Sequence, residues 1–144
     1  MSDFYDLFLT LALRSDLPPE VMTEIRWHLA VSQHPPAEFA AFRDDGWFAD
    51  KPFPFFNGTV ASHAFQGVDV TALVWHDGRW QATVRSCVHE DEISYAGQLI
   101  EWLAAQSTAD GWIGYLRHSQ AEAPDLIFWH QGALDFRKPG PKVG

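Results

Sequence analysis

The sequence predicts an α+β fold built on one mainly antiparallel sheet with two main helices on one face. Three observations carry that expectation. Leu7, Leu9, Leu11 and Leu13 alternate with Phe8, Thr10 and Ala12, the period of a strand buried on one side. Asp77-Gly78 stands between two β-rich runs, Val68 to His76 and Arg79 to Val88, as a two-residue hairpin turn. Ile93, Ala96, Gly97, Ile100, Leu103 and Ala104 fall on one stripe of a helix from Glu92 to Gln106.

The elements follow in order. After the leucine strand, Asp16 is placed to cap a helix that opens at Pro18-Pro19, where missing N–H groups cost nothing. Val21, Ile25, Trp27, His28 and Leu29 continue it towards residue 31, and His34-Pro35-Pro36 ends it. A short helix is expected from Pro36 to Arg43, with Phe39 and Phe42 three residues apart. From Trp47 to Gly58 the chain reads as an irregular loop carrying Trp47, Phe48, Phe53, Phe55 and Phe56.

The hairpin register sets His76 opposite Arg79 and Trp75 opposite Trp80. One of its faces then holds Leu73, Trp75, Trp80, Ala82 and Val84; the other holds Val70, Ala72, Val74, Gln81, Thr83 and Arg85. Glu90, Asp91 and Glu92 sit at the start of the second helix, where its dipole favours negative charge. Trp112 to His118, Asp125 to His130 and Ala133 to Phe136 read as strands, the last two joined by Gln131-Gly132. Without its insertions the order is βαββαβ, a ferredoxin-like core with an extra C-terminal hairpin. In that topology the first and third strands are parallel central neighbours. One domain spans 1–138, with 35–66 as an aromatic-rich insertion and 139–144 as a loose tail.

Composition narrows the function. The 144 residues carry 19 acids against 10 bases, a formal charge of -9. A nucleic-acid binder needs clustered Lys and Arg to displace counterions, and here they are scattered, so no nucleic-acid partner is expected. The single Cys87 excludes an intrachain disulfide and a multi-cysteine zinc site. The first residues hold Asp3, Asp6 and Asp16 with no basic region, and no long apolar run follows. A cytoplasmic protein with no membrane contact is the expectation.

No chemical motif stands out. The seven His include no pair four apart on a helix and no HExxH, so no metal and no cofactor are expected. Cys87 and His89 point to the same side of a strand as a weak thiol–imidazole pair, against the simpler reading of a small buried residue. Arg14 and Arg85, near the ends of neighbouring parallel strands, would make an anion-holding pair or two separate surface arginines. Five aromatics within Trp47 to Phe56 cannot all stay wet. Either they form a flap over the end or the open face of the sheet, where Phe8, Ala12, Val70, Ala72 and Val74 project, or they meet a partner or a second copy.

Asp110-Gly111-Trp112-Ile113-Gly114-Tyr115-Leu116-Arg117, followed by Pro124-Asp125-Leu126-Ile127-Phe128, resembles the end of a small uncharacterised bacterial protein family. Phe4-Tyr5-Asp6-Leu7 and Glu90-Asp91-Glu92-Ile93 are similar to its start and its acid-rich turn. The resemblance covers the two ends and the hairpin, not residues 35–60. It implies no activity and assigns no functional residue. In size, acidity and fold class the chain is also similar to immunity proteins that bacteria keep beside toxins.

Two functions are expected from these features. The first is a non-catalytic protein that binds another protein or itself, with Trp47, Phe53, Phe55 and Phe56 as anchors beside the acidic helix start. The second is a small-molecule binder or enzyme with a pocket under the 47–56 loop, where Arg14, Arg85, Arg117 or His118 supply polar groups.

Overall fold

The leucine run forms β1 (Phe4–Ala12), and its odd positions Leu7, Leu9 and Leu11 are buried, as is Leu13 just beyond it. The computed structural model describes residues 3–42, 53–56 and 58–139. Then come α1 (Pro19–His28), β2 (Val60–Ala61), β3 (Val68–His76), β4 (Arg79–His89), a 3-10 turn (Glu90–Glu92), α2 (Ile93–Ala105), β5 (Gly111–His118), β6 (Asp125–His130) and β7 (Ala133–Arg137). They make an α+β fold with one antiparallel sheet, ordered β2-β3-β4-β1-β5-β6-β7. No described helix is long and apolar enough to cross a membrane.

The hairpin has the expected register, with His76 opposite Arg79 and Trp75 opposite Trp80. Asp77 and Gly78 take φ of 52° and 81°, the left-handed pair that a tight hairpin requires. The two tryptophan rings meet edge to face at 5.4 Å. β1 and β4 are central neighbours, yet they run antiparallel, with Phe8 opposite Arg85 and Ala12 opposite Gln81. A βαββαβ core of the ferredoxin-like kind makes that pair parallel, so the hairpin enters this sheet the other way round. The long connection from α1 to β3 lets the chain start β3 at either end of the sheet.

Two local expectations fail for identifiable reasons. The first helix opens on Pro18 without a side-chain cap, so Asp16 does not cap it. Residues 36–42 form bends and turns instead of a helix, and Arg43 lies outside the described residues. There the N–H groups of Ala40 and Ala41 donate to Glu24 Oε1 and Oε2, at 2.6 and 3.0 Å, rather than to helix carbonyls.

Both helices lie on the leucine side. Ile25 and Leu29 of the α1 region and Leu99, Ile100 and Leu103 of α2 join Leu7, Leu9, Val84, Ile113 and Ile127 in one core. The two described helices cover only the middle of the seven-stranded sheet. On the outer strands their side remains open, so Trp75 is 57% exposed and Phe136 44%.

Candidate functional site

The described part of the aromatic segment packs within the chain, on the helix side of the sheet. Phe55 and Phe56 are buried in the core and Phe53 packs against it. Phe55 lies 6.3 Å from Phe42, and Phe42 meets Tyr95 of α2 edge to face at 5.7 Å. Phe56 N–H donates to the His28 carbonyl at the end of α1. Residues 53–56 therefore seal the helix side of the sheet. Core residues cannot be contact anchors, so Phe55 and Phe56 leave the candidate surface, while Phe53 is half-buried against the core. Trp47 lies outside the described residues.

Behind that segment is a buried polar knot. Glu24 and His28, four apart on α1, are 1% and 0% exposed, and His28 Nε2 lies 2.9 Å from Glu24 Oε2. The same carboxylate takes the Ala40 and Ala41 amides, so its oxygens are already engaged. A cleft of about 620 Å³ opens beside it, lined by Val21, Thr23, Glu24, Pro36 and Phe39 among others. None of Arg14, Arg85, Arg117 or His118 lines it.

Those four residues do not converge. Arg14 sits beyond the far end of β1, beside Asp16 at 3.9 Å and Gln106 Oε1 at 3.5 Å. With β1 and β4 antiparallel, Arg85 is instead opposite Phe8, and the Arg14–Arg85 anion pair does not form. His118 shares the leucine side with Tyr5 and pairs with Asp3 at 3.1 Å. Only Arg85 and Arg117 share a face, on either side of Asp6.

That face is the helix-free one. Asp6, 5% exposed, accepts from Arg85 Nε at 2.8 Å and Nη2 at 3.3 Å, and Arg85 Nη1 donates to the Val68 carbonyl at 2.9 Å. The hydrogen bond to Asp6 holds the Arg85 guanidinium above its ordinary pKa. Burial raises the Cys87 thiol, which keeps it protonated and a poor nucleophile. His89, two residues on, accepts the Asp91 N–H at Nδ1 and caps the 3-10 turn. His89 therefore has a structural role in capping the turn.

Beyond Asp6 the face is aromatic. Phe8 stacks with Tyr115 at 5.4 Å and with Trp112 at 6.1 Å, across β1 and β5. Trp112 is opposite Phe128 of β6, and Arg137 of β7 lies over the Phe128 ring at 4.0 Å. A bulge between Trp112 and Gly114 makes this platform possible. It puts Trp112 and Tyr115, three apart in sequence, on the same side. Period-two reading misses that, whereas the Glu24–His28 spacing on a helix was open to it.

Of the described chain, residues 62–67 cross one end of this face. His63 packs on Phe4 at 5.0 Å, and Arg117 lies over Phe65 at 5.0 Å. The rest has no described layer above it. Val70 and Ala72 are half-buried among their strand neighbours, but Val74 is 58% exposed and Trp112 48%. Phe53, Phe55 and Phe56 do not supply the cover expected over Val70 to Val74, and Trp47 and Phe48 lie outside the described residues.

The charge of the face is also unlike the rest. The strand residues that project there include Arg79, Arg85, Arg117 and Arg137 against Asp6 and Asp135. That is a net positive face on a chain of charge -9. Asp6–Arg85 and Asp135–Arg137 pair internally, and no carboxylate among the described residues pairs with Arg79 or Arg117. Among the described residues no three His, Cys, Asp or Glu side chains group as a metal site. No family model matches the chain, and no curated protein or solved structure does.

Proposed function

We propose that the chain is a protein-binding module whose contact surface is the helix-free face of its sheet. One observation carries the reading: a stacked row of Phe8, Tyr115 and Trp112, with Phe128 beside it, stands on a flat face with no described layer above it. Aromatic side chains are the usual anchors of protein interfaces because they bury much area with few rotors. Arg79 and Arg117, which no described carboxylate pairs with, suit a partner surface of apolar side chains bordered by acidic ones. This keeps the interaction role expected from the sequence and moves its surface from the aromatic loop to the sheet. On this face the one thiol, Cys87, is held protonated by burial and the buried Asp6 is paired with Arg85, which is why binding, not catalysis, is the reading.

A photo-crosslinking residue placed at Trp112, or at Glu101 on the exposed side of α2, tests it in cells of the source. Crosslinked protein is expected from position 112 and not from 101. Trp112→Ala with Arg117→Glu should abolish capture of that protein while leaving the circular dichroism spectrum unchanged. Crosslinks that arise from 101 alone would refute the reading.

A further inference from the structure

The two edges of the sheet are built differently. The β7 edge carries Asp135, Arg137, Lys138 and Pro139, the charges and proline that discourage a further strand. The opposite edge is β3. Two-residue β2 covers only Val68 and Asp69 there, and a Cβ built at Gly58 would lie 3.9 Å from the Thr71 hydroxyl oxygen. From Ala72 to His76 no described strand lies outside β3. This stretch, Ala-Leu-Val-Trp-His, has no acid, no Lys or Arg, and no proline. Val74 and Trp75 are the most exposed of the described large hydrophobics, at 58% and 57%. An edge of that composition is a template for another strand.

The hairpin register decides which main-chain groups are free. His76 and Arg79 flank a two-residue turn, so they form a hydrogen-bonded pair, and Trp75–Trp80 does not. His76, Val74 and Ala72 therefore turn their N–H and C=O groups towards β4. Trp75 and Leu73 turn theirs outward, to the open edge.

We propose that β3 pairs antiparallel with β3 of a second copy, about a two-fold axis at Val74. In this register Leu73 bonds with the partner copy's Trp75 and Trp75 with its Leu73, which satisfies the four outward N–H groups. Val74 meets its own counterpart on the helix-free side. Leu73 and the opposing Trp75 meet twice on the helix side. Moving the axis to Leu73 would bring the copy against Thr71, where Gly58 already lies. A second copy fits better than a foreign strand because this strand complements itself, and because two chains of charge -9 can meet here without placing like charges together. The result is one sheet of double width with the two helix-free faces side by side. The proposal does not depend on the function assigned to that face.

Light scattering on the intact chain is expected to give the dimer mass at about 100 μM. Val74→Lys and Val74→Glu each place like charges on the axis, and each should give monomer. Mixing the two variants should restore a dimer, because only the mixed pair puts Lys opposite Glu. Amide exchange on the wild-type chain supplies a reading free of any folding defect. Leu73 and Trp75 amides should gain protection as concentration rises, while Ala72 and Val74 amides stay protected throughout. A wild-type monomer at that concentration, or a dimer that survives Val74→Lys, would overturn the proposal.

Discussion

Gly114 is where the chain can bear no side chain. A Cβ built there would lie 1.9 Å from the Phe8 carbonyl oxygen and 3.1 Å from the Leu9 Cα, both main chain in the central strand. Backbone cannot swing aside as a flexible side chain does, so Gly114→Ala must push β5 off β1. The expected loss is about 2–3 kcal/mol, read as a lower denaturant midpoint. A loss under about 0.5 kcal/mol would mean that the bulge yields without cost. Tyr115 and Cys87 make a prediction about pH. Burial lifts the Tyr115 hydroxyl above its ordinary value, with Asp6 adding to the shift and Arg85 opposing it, and burial likewise lifts the Cys87 thiol. The folded chain thus holds both protons after the unfolded chain has released them. Stability present at neutral pH should decline above about pH 9, and further above about pH 10, in a series of urea titrations. Tyr115→Phe should flatten the upper part of that decline, and an unchanged slope would assign it elsewhere.

At the scale of elements, the hairpin, both helices and the last three strands were readable because each rests on local chemistry. Asp77-Gly78 alone determines a register that the chain keeps. What local chemistry does not contain is where a long connection re-enters the sheet, and there the reading failed: β4 runs antiparallel to β1. The same is true of residues 36–42. Phe39 and Phe42 have helical spacing, but a carboxylate from α1 captures two amides that a helix would have used. That capture joins the aromatic segment to α1 and gives Glu24 a measurable role. In Glu24→Gln the amide nitrogen would face another donor, and one buried N–H would lose its acceptor. A loss of about 2 kcal/mol is expected, with quicker proteolysis between Phe39 and Phe56 than in the parent chain. Unchanged proteolysis would show that aromatic packing alone holds the segment. The candidate site was less legible than the fold, since it depends on the bulge at Trp112–Gly114 and on three strands distant in sequence.

Across the described residues, seven strands share two helices, and the layers are unequal. The helices, with Phe42, Phe55 and Phe56, close over the centre on one side. Among the described residues the other side leaves Val74, Trp112 and Arg137 exposed, while Phe8, Tyr115, Arg85 and Arg117 are half-buried. The excess acid lies elsewhere in the chain, so the molecule is electrically lopsided, and this orients an approaching partner before contact. The place of β1 has one more consequence. It is the middle strand, yet its neighbours β4 and β5 lie far along the chain, beyond a long connection and a second helix respectively. A ribosome finishes β1 well before either flank exists, so its leucines emerge with nothing to zip onto. Until Arg79 and the residues after it have left the exit tunnel, the sheet cannot close around its centre, and the nascent chain must keep its greasiest strand soluble by other means.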